Sequence, residues 1–285
     1  LPPRYGCRDC AVTQPMTDIE INRSVKARPI QDVADQFGIQ TNELIPYGRL
    51  KAKVSLDVLE RLHAAPLGRY ILVTAINPTP LGEGKTTTSI GLAMGLSRLG
   101  HRTAVTLRQP SLGPVFGIKG GGTGGGRAQV LPMEDINLHL TGDAHAVSAS
   151  HNLLSAFVDN HLFHGNGLKV DLNRITWPRT LGVSDRALRQ VSLGEGTVAR
   201  TGQFVITEAS EVMAMLALAS SQADLRQRLG QIVVGFTMDG KPLRAEEFGC
   251  AGSMAVLLRE ALLPNLVQTL EGTAAFVHTG PFGNI

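Results

Sequence analysis

The sequence predicts an α/β fold built on a doubly wound, mainly parallel sheet, and three observations carry that reading. Strand-like and helix-like patterns alternate through most of the 285 residues. A β-branched and aliphatic run at 70–76 leads through a glycine-bearing loop into a helical pattern that begins at Gly84-Lys85-Thr86. A second strand-like run, 102–107, follows that helix. The three pieces make one βαβ unit, with parallel strands and a right-handed crossover.

The elements can be justified in chain order. Residues 17–64 carry helical patterning, with Ile30, Val33, Ala34 and Phe37 at i, i+3, i+4 and i+7, punctuated by Gly38 and Pro46. The basic stretch Lys51-Ala52-Lys53-Val54 reads as a solvated face. The strand at 70–76 breaks at Asn77, Pro78 and Pro80, which do not continue a ladder. The helix runs from about 84 to 99 and stops at Gly100.

A loop that ends at a helix N-terminus aims several free N–H groups at one point, where the helix dipole favours an anion. Here Lys85 would reach the β- and γ-phosphates of a nucleotide, and the Thr86 hydroxyl would ligate Mg²⁺. The fold is therefore of the P-loop NTPase type, and Thr79, Pro80, Leu81, Gly82, Glu83, Gly84, Lys85 and Thr86 form the expected ATP loop. It departs from G-x-x-x-x-G-K-[ST] at its first position, which holds Thr79. Gly82 compensates at mid-loop by letting backbone approach a phosphate.

Arg108 follows the second strand, at the sheet end where ligands gather. Beyond it, six of the seven residues from 120 to 126 are glycine, flanked by Lys119 and Arg127. Free N–H groups bracketed by cations suit an anion, so Arg108, Lys119, Gly121, Gly122, Gly124 and Arg127 are anion-site candidates. The alternative is a linker. Residues 134–164 hold five of the eight histidines, with Glu134, Asp135, His139, Asp143 and His145 as candidates for polar support. Their spacings match no standard metal set.

Further on, Trp177-Pro178 marks a loop and Asp185 caps a short helical start. Phe204 to Thr207 is strand. Val212, Met215, Leu216, Ala219 and Ala223 form one helical face. Strands at 232–236 and from 275 to 278 enclose a helix at 254–263.

Composition narrows the function. A net charge of +3 is too weak to argue for nucleic acid. The longest strictly apolar run, 212–219, falls short of the ~20 residues of a membrane span. Three cysteines argue against a disulfide framework and for a cytoplasmic location. Met16 is a plausible start, which makes 1–15, with its Cys7-Arg8-Asp9-Cys10, an upstream or tag-like segment. Residues 16–285 are then a nucleotide-binding domain that looks incomplete at its C-terminus.

The segments 79–88, 107–121 and 132–143 closely resemble formate–tetrahydrofolate ligase, in its one-function bacterial form. So do Asp159-Asn160-His161, Asp185 to Arg189, 264–271 and 278–285. The resemblance runs from about Asp18 to the last residue, and the family's loop begins with Thr, as Thr79 does here. It implies the N-terminal half of an ATP-dependent, cytoplasmic ligase that joins formate to tetrahydrofolate through formyl phosphate, works with Mg²⁺ and forms a homo-oligomer. It further implies catalytic roles for Lys85 and Arg108, the latter holding formyl phosphate, and folate-stacking aromatics beyond Ile285. Many family members carry Glu where this chain has Gln109. A switch-type P-loop ATPase and a binding-only piece without catalysis are the other readings. Neither nucleic acid nor a membrane is an expected partner.

Overall fold

Strand pairing around one buried hairpin organises the N-terminal part of the chain. The computed structural model describes residues 15–77, 79, 82–112 and 122–280. In the main sheet, β1 (Leu44–Pro46) and β2 (Ala52–Val54) lie on one flank. The buried hairpin β13 (Asn265–Thr269) and β14 (Ala274–His278) follows, and β3 (Ala104–Arg108) closes the other side. A small ribbon, β4 (Gly124–Gly125) and β5 (Ala128–Leu131), joins β13 from the far end.

Helices cover both faces of this sheet. On one, α2 (Ile30–Phe37) buries Ile30, Val33 and Ala34 against Leu44, Ala52, Leu266 and Ala274. These are the positions that the helical spacing selects, and Gly38 ends the helix in the left-handed region at φ 92°. On the other face, α4 (Lys85–Arg98) packs Ile90, Ala93 and Met94 against Val105, Val130, Val267 and Val277.

The mainly parallel sheet is not what the described residues form. In the main sheet β3 and β14 are parallel, whereas the β1–β2, β2–β13, β13–β14 and β13–β5 pairs are antiparallel. The cause is local: β13 and β14 are joined by a tight turn at 270–273, and a turn that short permits only antiparallel pairing. Residues 70–76 form no ladder among the described residues, and Ile76 is fully exposed. Strand propensity is realised only against a neighbouring strand, and β3 pairs with β14 instead of with this run. The basic stretch at 51–54 is likewise not a solvated face. It contains β2, and Lys53 is 1% exposed.

A second core lies around α6 (Asp143–Phe163). It gathers α7 (Glu211–Leu218), α8 (Gln222–Gly230) and α9 (Ala251–Leu257) with β6 (Val170–Ile175), β11 (Val233–Thr237) and β12 (Pro242–Arg244). The stripe from Val212 to Ala223 is split between α7 and α8, because Ser221 caps the second helix. The expected helix at 254–263 begins earlier, at Ala251, and its regular part ends at Leu257. No described helix is long and apolar enough to cross a membrane.

His151, on α6, is buried in this core. Its Nε2 donates to the Pro178 carbonyl at 2.8 Å, so in the neutral ring Nδ1 accepts from the Ser210 hydroxyl at 2.7 Å. The ring stacks on Trp177, with centroids 4.0 Å apart. Burial pushes its pKa from 6.5 down to about 4, against a smaller opposing effect of the Pro178 carbonyl. The unfolded chain therefore binds this proton more readily than the folded one. Stability is whole above pH 6.5 and is lost as pH falls towards 4, by about 3 kcal/mol in total from this group. Denaturant unfolding between about pH 7 and 4.5 should show that slope, and His151→Gln should flatten it. Identical pH dependence in the two proteins would contradict the assignment.

Candidate functional site

The glycine-bearing loop meets α4 in a conformation that its sequence requires. Gly84, directly before the helix, sits in the left-handed region at φ 73°, and Gly82 at φ 88° donates its N–H to the Thr79 carbonyl at 3.2 Å. The Thr88 N–H bonds back to the Gly84 carbonyl at 2.9 Å. The N–H groups of Lys85, Thr86 and Thr87 are therefore not used by the helix itself. No acidic side chain lies in the first turn and none caps it. Lys85, exposed, forms an ion pair with Glu83, whose other oxygen accepts from the Thr79 N–H. Lys85 first, then the Thr79 N–H, pulls the Glu83 carboxyl down to about 2. Thr86 is partly buried. Pro80 and Leu81 lie outside the described residues.

Helix α4 descends for 14 residues, about 21 Å, and β3 climbs back. The helix N-terminus and the end of β3 therefore share one side of the sheet. Arg108 ends β3 beside His278, which ends β14. The Arg108 stem runs under Gly280, where an added Cβ would stand 3.2 Å from Arg108 Cγ. Arg108 is exposed to solvent, yet the surrounding protein lowers its pKa, while the Glu208 charge opposes the shift.

Around it, Gln109, Ser111, Glu208 and Thr279 are all buried, Glu208 with 4% exposure. Gln109 Oε1, Ser111 Oγ, Glu208 Oε2, Thr279 Oγ1 and His278 Nδ1 have no hydrogen-bond partner among the described residues. Burial raises the Glu208 pKa. The Arg108 charge opposes this, and so does the Ser111 hydroxyl beside the carboxylate, although Oε2 itself takes no hydrogen bond. Each such buried atom left unpaired costs about 1–3 kcal/mol. A polar or ionic ligand at the strand ends would recover that energy.

The glycine run is, in its described part, a packed hairpin and not a linker. Gly124 has φ 86°, and an added Cβ would fall 2.0 Å from the Ala128 carbonyl oxygen and 2.8 Å from Ile90 Cδ1. At Gly122 a Cβ would meet Pro110 at 2.8 Å. The N–H groups there are already engaged: Gly126 donates to Asp18 at 2.8 Å and Gly122 to the Asn137 side chain at 3.2 Å. Arg127 is exposed at the turn. Lys119 and Gly121 lie outside the described residues.

The acidic candidates at 134–143 face the N-terminal segment. Glu134 pairs with Arg23, and Asp135 with Lys51 at 2.7 Å. Asp143 is buried with Lys53 at 2.8 Å, and its second oxygen accepts from Asn265 at 2.7 Å. Burial lowers the Lys53 pKa, and the Asp143 charge raises it again. Both groups are close enough to His278 to act on its titration, although burial is the larger influence there. His139 and His145 are exposed, and no cluster of described residues could hold a metal ion. Sequence reasoning passed over Lys53, Ser111, Glu208 and Thr279 at this end of the sheet. Glu208 follows a short strand and reads as an ordinary polar residue at a helix entry, so no local signal marks it.

A family model described as formate–tetrahydrofolate ligase matches residues 16–285. Curated relatives carry the same description. One from Roseiflexus sp. (strain RS-1) is 58% identical over 274 residues, which cover 95% of this chain and 49% of the relative. One from Saccharopolyspora erythraea is 57% identical over 274 residues, covering 94% and 48%. Formate–tetrahydrofolate ligase 3 of Rubrobacter xylanophilus is 55% identical over 275 residues, covering 95% and 48%. The chain spans about half the length of the curated relatives it matches.

Two stability comparisons check this geometry. Gly124→Ala places a Cβ on backbone at positive φ and should cost more than about 2 kcal/mol, whereas Gly126→Ala, which meets open space, should cost about 1. Equal costs in urea unfolding would refute the tight hairpin. Lys53→Met leaves a buried carboxylate unpaired and should cost about 3–5 kcal/mol, whereas Glu134→Ala, from an exposed pair, should cost less than about 1. A Lys53→Met protein as stable as the parent would mean that the pair is not buried.

Proposed function

The chain belongs to the formate–tetrahydrofolate ligase family, and from that premise we propose that it supplies the ATP and formate sites of such an enzyme. The reaction joins formate to tetrahydrofolate with consumption of ATP, giving 10-formyltetrahydrofolate, ADP and phosphate. The observation that carries this reading is the convergence at one sheet end of an uncapped helix N-terminus, Lys85 and Arg108.

In the proposed first step a formate oxygen attacks the γ-phosphorus of ATP and ADP leaves, producing formyl phosphate. Lys85 releases Glu83 and turns to the β- and γ-phosphates, and the N–H groups of the first turn hold the same anion. The loop from Thr79 to Thr86, of P-loop type, wraps the nucleotide, with Gly82 and Gly84 giving backbone access. Thr86 would hold Mg²⁺ with the nucleotide. The helix entry suits that ion's phosphate complex, because no carboxylate in the first turn competes for it. When bound, Mg²⁺ would offset charge on the phosphates. Arg108 offers a fork of donors to formyl phosphate. In the second step N10 of tetrahydrofolate attacks the formyl carbon, phosphate leaves and N10 loses its proton. The folate surface is assigned to the part of the relatives' length that this chain does not span, so the 285-residue chain alone should bind MgATP weakly and form no 10-formyltetrahydrofolate.

The test is Lys85→Ala in a full-length ligase that contains this chain. Phosphoryl transfer to formate should fall by at least about 10³-fold. Stability should change by less than about 1 kcal/mol, because the lost ion pair is exposed. Turnover at the parental rate would sink the proposal.

A further inference from the structure

Beside the second core lies a cavity whose walls are basic and apolar together. Its volume is about 360 Å³, the size of a small-molecule site. One wall is the two-stranded ribbon of β8 (Val191–Leu193) and β9 (Arg200–Gly202). Leu193 pairs with Arg200 across the ribbon, so both project from one face. Leu193 also lies over Gly202, where an added Cβ would stand 2.3 Å from Leu193 Cδ1. Another wall includes Trp177, held by its stacking on His151 and by the bond from its Nε1 to the His151 carbonyl at 3.2 Å. Arg189, Gln190 and Gln203 add polar groups, and no acidic side chain lines the cavity.

Arg200 is deeply placed for a guanidinium. Its side chain is 9% exposed, and Asp159 on α6 accepts from its Nη2 and also from Arg179. Its Nε and Nη1 have no hydrogen-bond partner among the described residues. Arg189 is exposed, and its guanidinium has no partner among the described residues either. Arg179, Arg189 and Arg200 against the single carboxylate of Asp159 leave two positive charges here. Donors that are largely buried and unpaired cost free energy that an anion would recover.

We propose that this cavity binds a phosphate monoester, whose phosphate meets Arg189 and Arg200 and whose apolar body lies against Trp177 and Leu193. A monoester is close to dianionic at neutral pH and so matches the two charges. Its oxygens suit the paired donors of a guanidinium, and an indole ring suits a flat apolar group. None of the lining residues belongs to the sheet end that holds Lys85 and Arg108, so the proposal goes beyond the function given above and does not depend on it.

Trp177 is the one tryptophan of the chain, so its fluorescence reports this cavity directly. Titration of the 285-residue chain with phenyl phosphate should change that fluorescence saturably, with half-saturation at about 1 mM or below. Inorganic phosphate lacks the body and benzoate carries a single charge, so each should bind more weakly. Arg189→Gln should weaken phenyl phosphate about tenfold, the effect of losing roughly one charge-assisted contact. Arg200→Gln should weaken it at least as much. Arg226→Gln, which removes a charge from an exposed pair with Glu246, and Arg108→Ala should leave it unchanged. An unresponsive Trp177, parental binding in Arg189→Gln, or an equal loss in Arg226→Gln or Arg108→Ala overturns the proposal. So does benzoate or inorganic phosphate that binds as tightly as phenyl phosphate. Arg189 is bonded to nothing in the folded chain, so its variant decides the matter even if Arg200→Gln fails to fold.

Discussion

Every residue of β13 is buried, and three of its five side chains are polar: Asn265, Gln268 and Thr269. Each must find its hydrogen bonds inside the protein, and the surrounding architecture is the set of partners that satisfies them. Asn265 donates to Asp143 and to the Val277 carbonyl and accepts from Thr141. Gln268 bonds the backbone N–H and carbonyl of Arg28, 240 positions away. Thr269 accepts from the Thr273 N–H and closes the turn into β14. The backbone of the same strand pairs with β2, β14 and β5.

That constraint sets the position of the site. Because β14 is anchored to β13 along its length, His278 and Gly280 arrive at fixed places, and the parallel pairing of β14 with β3 brings Arg108 beside them. The Lys53–Asp143 pair fixes the start of α6 to the same sheet end. Its two desolvated charges confer register more than net stability, since neither can leave the other without large cost. The exposed pairs Arg23–Glu134 and Arg98–Glu271 add little by comparison.

The two halves of the proposed anion-binding end are built on different principles. The loop before α4 uses backbone: two left-handed glycines and a first helical turn that holds no acidic residue. The ends of β3 and β14 use side chains, with buried oxygens left unsatisfied around Arg108. The first suits a polyphosphate of fixed shape, and the second a smaller anion whose orientation matters. That division is the one the proposed reaction requires of a nucleotide and a smaller acyl phosphate.

The face of α2, the glycines that enter α4 and the arginine at the end of β3 were legible in the sequence by itself, and so was the family resemblance. Each depends on short-range spacing or on a residue type that one backbone conformation demands, as at Gly84 and Gly38. The tertiary structure alone decided which strands pair and which charges are buried. Residues 70–76 have strand composition but no neighbouring strand among the described residues, and propensity cannot supply one. Lys53 looked solvated because nothing nearby in sequence reveals Asp143, 90 positions on. Glu208 reads as a surface carboxylate until folding buries it. A charge shows its environment only when distant segments close over it, and no local pattern encodes that event.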